Sequence, residues 1–182
     1  RLPDPFLVIG TQNPIESEGT YPLPEAQLDR FLFRMSLGYP SAETEVDMVR
    51  RRAQRGVDHV VLEPVGSAAD VVGLQQAVER IHVSDSIANY IVALVGATRA
   101  SLRTEAGASP RGSLGLLRAG RAWAGLQGRD FVLPDDIKAV AIPVLAHRIL
   151  LDTDQWIRGV RPEEVIAEIL EDVPSPAAVE HT

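Results

Sequence analysis

Cysteine is absent from the 182-residue sequence, and lysine occurs once, at Lys138, among 18 lysines and arginines. The first absence excludes a disulfide framework, a thiolate metal site and a thiol nucleophile, and leaves the cytoplasm as the expected compartment. The second excludes a phosphate-binding loop of the form G-x-x-x-x-G-K-[ST], because Lys138 stands between Ile137 and Ala139. Aromatic residues make up only 5% of the chain, and Trp123 and Trp156 lack the interleaved basic and aromatic neighbours of a base-stacking platform. The longest mostly apolar stretch, residues 87–97, is interrupted by Asn89 and Tyr90 and falls short of the roughly 20 residues of a membrane helix. No signal peptide is visible. His59, His82, His147 and His181 are scattered, with no second ligand at metal spacing, so no metal site is expected.

What is present is a chain 45% hydrophobic, enough for one good core, with a net charge of -7. The acidic balance gives no electrostatic reason to expect nucleic acid or a membrane as partner. The first residue is Arg1, and an apolar, strand-like stretch at 6–9 begins almost at once. The expectation is therefore a piece of a longer protein.

Residues 1–40 read as α/β: a strand at 6–9, a Gly- and Pro-containing loop, a short helix at 25–30 and a second strand at 31–37. From Ser41 the period becomes helical. Ser41 suits an N-cap, Glu43, Glu45 and Asp47 occupy the early turns, and Arg50, Arg51, Arg52 and Arg55 the far end, the order that the helix dipole prefers. Val71, Leu74, Val78 and Ile81 form one apolar stripe, and Ile87, Ile91, Leu94, Val95 and Thr98 another; both are expected to be buried. Pro110, Pro134 and Pro162 each open a helix at its first position, the last with Val165, Ile166, Ile169 and Leu170 inward. A short extended piece is expected within 147–152. The organisation expected is a remnant of an α/β domain over 1–40, a helical domain over 41–173 and a flexible tail over 174–182.

Three polar residues stand out. Asn13 follows the first expected strand, at the edge where open α/β sheets bind ligands; it can donate to a phosphate oxygen and accept from a water, or merely begin an Asn-Pro turn. Arg30 ends a short helix, where it suits either the charge of a transferring phosphoryl group or the helix dipole. Arg111 falls at the second position of the helix that Ser109 and Pro110 open. Its charge there opposes the dipole unless an anion lies close by. Asp135 and Asp136 read as first-turn helix carboxylates.

The runs GTQNPIESEGTYPLPEAQLDRFLF (10–33), GASPRGSLGLLRAGRAWA (107–124) and FVLPDDIKAVAIPVLAH (131–147) resemble, in that order, the sensor 1 and arginine-finger region, the sensor 2 helix and a following lid helix of MoxR-family AAA+ ATPases. The resemblance implies a mainly α chain: a helical AAA+ lid attached to the last strands and helix of a P-loop NTPase core. It implies Asn13 as sensor 1, which orients the attacking water, Arg30 as the arginine finger in a neighbour's site, and Arg111 as sensor 2. ATP and Mg2+ are the implied cofactors, held mainly by an upstream half that carries the Walker A and Walker B motifs. The resemblance implies as partners a self-assembled ring, a hexamer, and client proteins, some with von Willebrand factor A domains. These residues alone are expected not to turn over ATP. Two other readings are a protein-binding or assembly module independent of nucleotide, and a nucleic-acid motor sharing the Asp29-Arg30-Phe31 arrangement, against which the net charge argues. The glycines at 112, 115, 120 and 125 leave the sensor 2 helix either tightly packed or marginally ordered.

Overall fold

The computed structural model describes residues 2–12 and 23–176. The chain is mainly helical: α1 (Glu25–Leu28), α2 (Ala42–Arg55), α3 (Ala68–Glu79), α4 (Asp85–Ala100), α5 (Pro110–Leu126), α6 (Pro134–Leu145), α7 (Thr153–Ile157) and α8 (Pro162–Asp172). A 3-10 turn over Ala146–Arg148 follows α6. Two short strands, β1 (Thr104–Ala106) and β2 (Leu150–Leu151), pair antiparallel.

Helix starts follow the local chemistry. Ser41, Ser67, Ser84 and Ser109 accept hydrogen bonds from backbone N–H groups in the first turns of α2, α3, α4 and α5, and proline occupies the first position of α5, α6 and α8. The core forms where apolar stripes meet: Ile87, Ile91, Leu94 and Val95 of α4, Leu116 and Ala119 of α5, Ile137, Val144 and Leu145 of α6, and Val165, Ile166 and Ile169 of α8 are all buried. The glycines of α5 mark close packing. A Cβ at Gly115 would lie 3.0 Å from Val144 Cγ1, and one at Gly120 would overlap Ile137 Cδ1. Of the two alternatives left open for this helix, the structure takes the packed one.

Three expectations are corrected. The segments at 6–9 and 31–37 are not strands: both lack regular secondary structure, and Phe6, Leu7, Val8 and Ile9 are exposed. A strand exists only through a ladder partner, and the one sheet among the described residues joins β1 to β2. The backbone of the second segment bonds instead to the end of α6, where Arg34 N donates to Pro143 O at 2.9 Å. The stripe of α3 is likewise mostly open, with Leu74 67% exposed. Only its end is anchored, through buried Ile81 and the Arg121–Glu79 ion pair at 2.8 Å. β1 and α7 had no forecast in the sequence pattern, being too short to show a period.

Asp136 does more than cap a helix. Its buried carboxylate accepts Arg129 Nη1 at 2.7 Å, Arg129 Nη2 at 2.5 Å and the backbone N–H of Leu133 at 2.7 Å. Asp136→Ala would strand the Arg129 guanidinium beside the core and is expected to cost about 3 kcal/mol in chemical denaturation. Asp135→Ala, on the exposed side of the same turn, is expected to change stability by less than about 0.5 kcal/mol. Equal effects at the two positions would refute the buried-pair account.

Candidate functional site

The turn that follows α1 lies against the start of α5 and the end of α6, and three segments distant in sequence meet there. Asp29 is the hub. Its carboxylate accepts Arg148 Nη1 at 2.6 Å, Arg111 Nη1 at 3.3 Å and Ser109 Oγ at 3.3 Å. Arg111 sits at the start of α5, where the positive end of the helix dipole favours negative charge. The anion that its position calls for is thus supplied within the chain, by Asp29.

Arg148 is the most enclosed cation of the site, with a side chain 3% exposed. Its guanidinium donates to Val144 O at 2.7 Å, Asp29 O at 2.5 Å and Phe31 O at 2.7 Å, besides the Asp29 carboxylate. Each of the donors spreads a charge that would be costly to bury unpaired. Leu32 adds an apolar contact, its Cδ1 lying 3.6 Å from where a Gly115 Cβ would stand.

Arg30 is different. It is exposed, and among the described residues no hydrogen bond or ion pair engages its side chain. Arg30, Arg111, Arg118 and Arg148 line one open groove with Asp29. The donors of Arg148 are spent on Val144, Asp29 and Phe31, so Arg30, Arg111 and Arg118 are the cations that the groove offers to an anion, beside the one carboxylate. The structure places Arg30 and Arg111 along the same groove. Asn13 lies outside the described residues. Sequence reasoning missed Asp29, Arg118 and Arg148. Arg118 stands seven residues beyond Arg111 on one helix face, a signal that spacing alone could have given, whereas nothing local marks Arg148.

His147, beside Arg148, bonds through Nε2 to Phe31 O at 3.1 Å, and its Nδ1 is buried without a partner among the described residues. A carbonyl oxygen can only accept, so the ring donates from Nε2. Burial lowers its pKa below the ordinary value, with Phe31 O acting in the opposite sense and the charges of Arg148 and Arg34 lowering it further. A depressed folded-state pKa means that the unfolded chain takes up the proton first, so this contribution is complete above about pH 6.5 and is lost as pH falls below it. Denaturation midpoints measured from pH 7.5 to 5 should fall less in His147→Gln than in the wild type. Parallel curves would show that His147 is not the titrating group.

The AAA lid domain model matches residues 96–169, and the model of the ATPase family associated with various cellular activities (AAA) matches residues 1–33. YeaC of Bacillus subtilis is 44% identical over 176 residues, which cover 97% of this chain and 55% of that protein. Chaperone MoxR1 of Mycobacterium tuberculosis is 41% identical over 184 residues, 96% of this chain and 48% of its own length. A crystal structure of a candidate ATPase from Cytophaga hutchinsonii superposes with a TM-score of 0.87 at 39% identity, covering 96% of this chain and 56% of that one. The chain spans about half the length of the relatives it matches.

Proposed function

The chain belongs to the MoxR-type AAA ATPases, and from that premise we propose that its arginines complete an ATP site shared between subunits of a ring. Arg30 is the arginine finger that enters the neighbour's site, Arg111 reads nucleotide from the lid, and Asn13 orients the attacking water. Residues 1–40 then belong to the ATPase core, 41–173 to the lid, and 174–182 to a tail. The whole protein hydrolyses ATP in the cytoplasm and uses the lid motion to remodel client proteins, and these 182 residues without a P-loop do not turn over.

The observation that carries this reading is the contrast between Arg30 and its surroundings. Its neighbours Asp29 and Phe31 are fastened through carboxylate and carbonyls to Arg148, while the exposed Arg30 side chain has no hydrogen-bond or ion-pair partner among the described residues. An exposed cation on a pinned backbone can meet a charge that another subunit brings, without first giving up a partner of its own. The donor set also fits the terminal phosphates of ATP, being planar, permanently charged forks. ATP supplies the scissile phosphoanhydride when bound, and Mg2+ belongs to the same proposal, with none of the described residues assigned to hold it.

Mixing intact Arg30→Ala subunits into wild-type ring at constant total concentration tests it. A finger acting in trans predicts that ATP turnover declines with the number of intact interfaces. Wild-type turnover by the pure variant would instead favour a nucleotide-independent binding module, for which the exposed apolar run of Val60, Val61, Leu62 and Val65 offers a surface.

A further inference from the structure

We propose that Arg148 is a positioning residue for Arg30, setting the direction in which that side chain leaves the subunit. The inference rests on the reading of Arg30 as a finger. Arg148 closes the 3-10 turn after α6, 118 positions along the chain from Arg30, and it never touches the groove's anion in this role. Its forked head grips the carbonyls on either side of Arg30: Nη1 holds Asp29 O at 2.5 Å and Nη2 holds Phe31 O at 2.7 Å. The same Nη1 also holds the Asp29 carboxylate at 2.6 Å, and Nε is fixed to Val144 O of α6 at 2.7 Å.

Arg30 thus stands at the top of an arch whose two feet are bonded to one rigid, planar group. Two further bonds brace the far foot, His147 Nε2 with Phe31 O at 3.1 Å and Arg34 N to Pro143 O at 2.9 Å. Stability is a poor explanation for this arrangement. A buried ion pair is commonly no better than well-packed apolar side chains of the same volume, and Val144 and Leu145 next to it are fully buried in that way. What a guanidinium adds over an apolar contact is orientation, because its donors diverge at fixed angles and lock both carbonyls at once. A group that must meet a transferring phosphoryl loses about 100-fold in rate when displaced by about 1 Å.

The test is a double-mutant cycle in the intact ring, with steady-state ATP hydrolysis of wild type, Arg30→Ala, Arg148→Ala and the double variant. Arg148→Ala is expected to lower kcat about 100-fold with the KM for ATP unchanged, and to produce no further loss in the Arg30→Ala background. Arg148→Lys, which keeps the buried charge but cannot fork to both carbonyls, should restore little of the rate. If Arg148→Ala fails to assemble, the same cycle is decided on Arg148→Lys. Equal losses in both backgrounds, or no loss in the wild-type background, would overturn the positioning role alone. Wild-type turnover by Arg30→Ala would overturn the finger reading and the positioning role with it.

Discussion

Arg30→Ala is expected, if Arg30 is the finger of a ring ATPase as proposed, to lower ATP turnover by about 10³-fold or more, the range in which removal of an arginine finger falls. The size follows from the function a finger performs: it neutralises charge that develops on the phosphoryl group in the transition state, in a site from which water is excluded. The structure adds a second half to this expectation. Because the side chain is exposed, its removal deletes no hydrogen bond or ion pair among the described residues. Stability should therefore change by less than about 0.5 kcal/mol. Arg30→Lys should recover little activity, since a point-like ammonium lacks the fork that spans two phosphate oxygens. Hydrolysis rates and thermal unfolding of the same preparations check both halves. A variant that melts early, or one that turns over like the wild type, would make Arg30 a structural residue.

Gly107→Ala is expected to be the most damaging single substitution for the fold. A Cβ there would lie 2.5 Å from both Arg99 Cα and Arg99 N and 2.6 Å from Thr98 C, and backbone atoms inside α4 cannot swing aside as a side-chain tip can. The clash is made severe by the bonds that hold the two segments together. Ala108 N donates to Thr98 Oγ1 at 2.9 Å, Arg99 Nε to Ala108 O at 2.7 Å and Thr104 Oγ1 to Thr98 O at 2.7 Å. Relief of the overlap would break several of them, with fully buried Thr98 and Ala108 left to find new partners. A cost of about 4 kcal/mol or more, at the exceptional end for one residue, is expected in chemical denaturation. The damage extends to the site, because Ser109 and Arg111 follow within four residues and their approach to Asp29 depends on this crossing. Gly73→Ala provides the contrast: the added methyl in α3 meets nothing within 4 Å, and the helix should gain about 0.5 kcal/mol. A mild effect at Gly107 would show that the crossing is adaptable.

The helical part of the fold was legible because its signals are local. Ser109 and Pro110 open α5, and Pro162 opens α8 with Val165, Ile166 and Ile169 inward, within a few residues of each other. The buried face of α4 showed as a 3.6-residue period over four turns. The stripe of α3 showed the same period, yet most of it faces solvent, since a period says which residues share a face and not whether another element covers it. The segments at 6–9 and 31–37 failed for a related reason. Their composition suits strands, but strand formation is decided by a partner and not by propensity.

Within the site, Arg30 and Arg111 could be singled out by chemical type and by place at a helix end, and the family likeness gave them roles. The sequence by itself determined the starts of α2, α5, α6 and α8, the lack of a P-loop lysine and the oddity of a cation at the second position of α5. Only the tertiary structure decided what answers that cation, and what holds the turn around Arg30. Asp29 and Arg111 are 82 residues apart, and Asp29 and Arg148 are 119 apart. Caps and periods are set by backbone groups a few residues away, whereas an ion pair of such span has no local precursor: it exists only once α5, α6 and the turn after α1 have packed together.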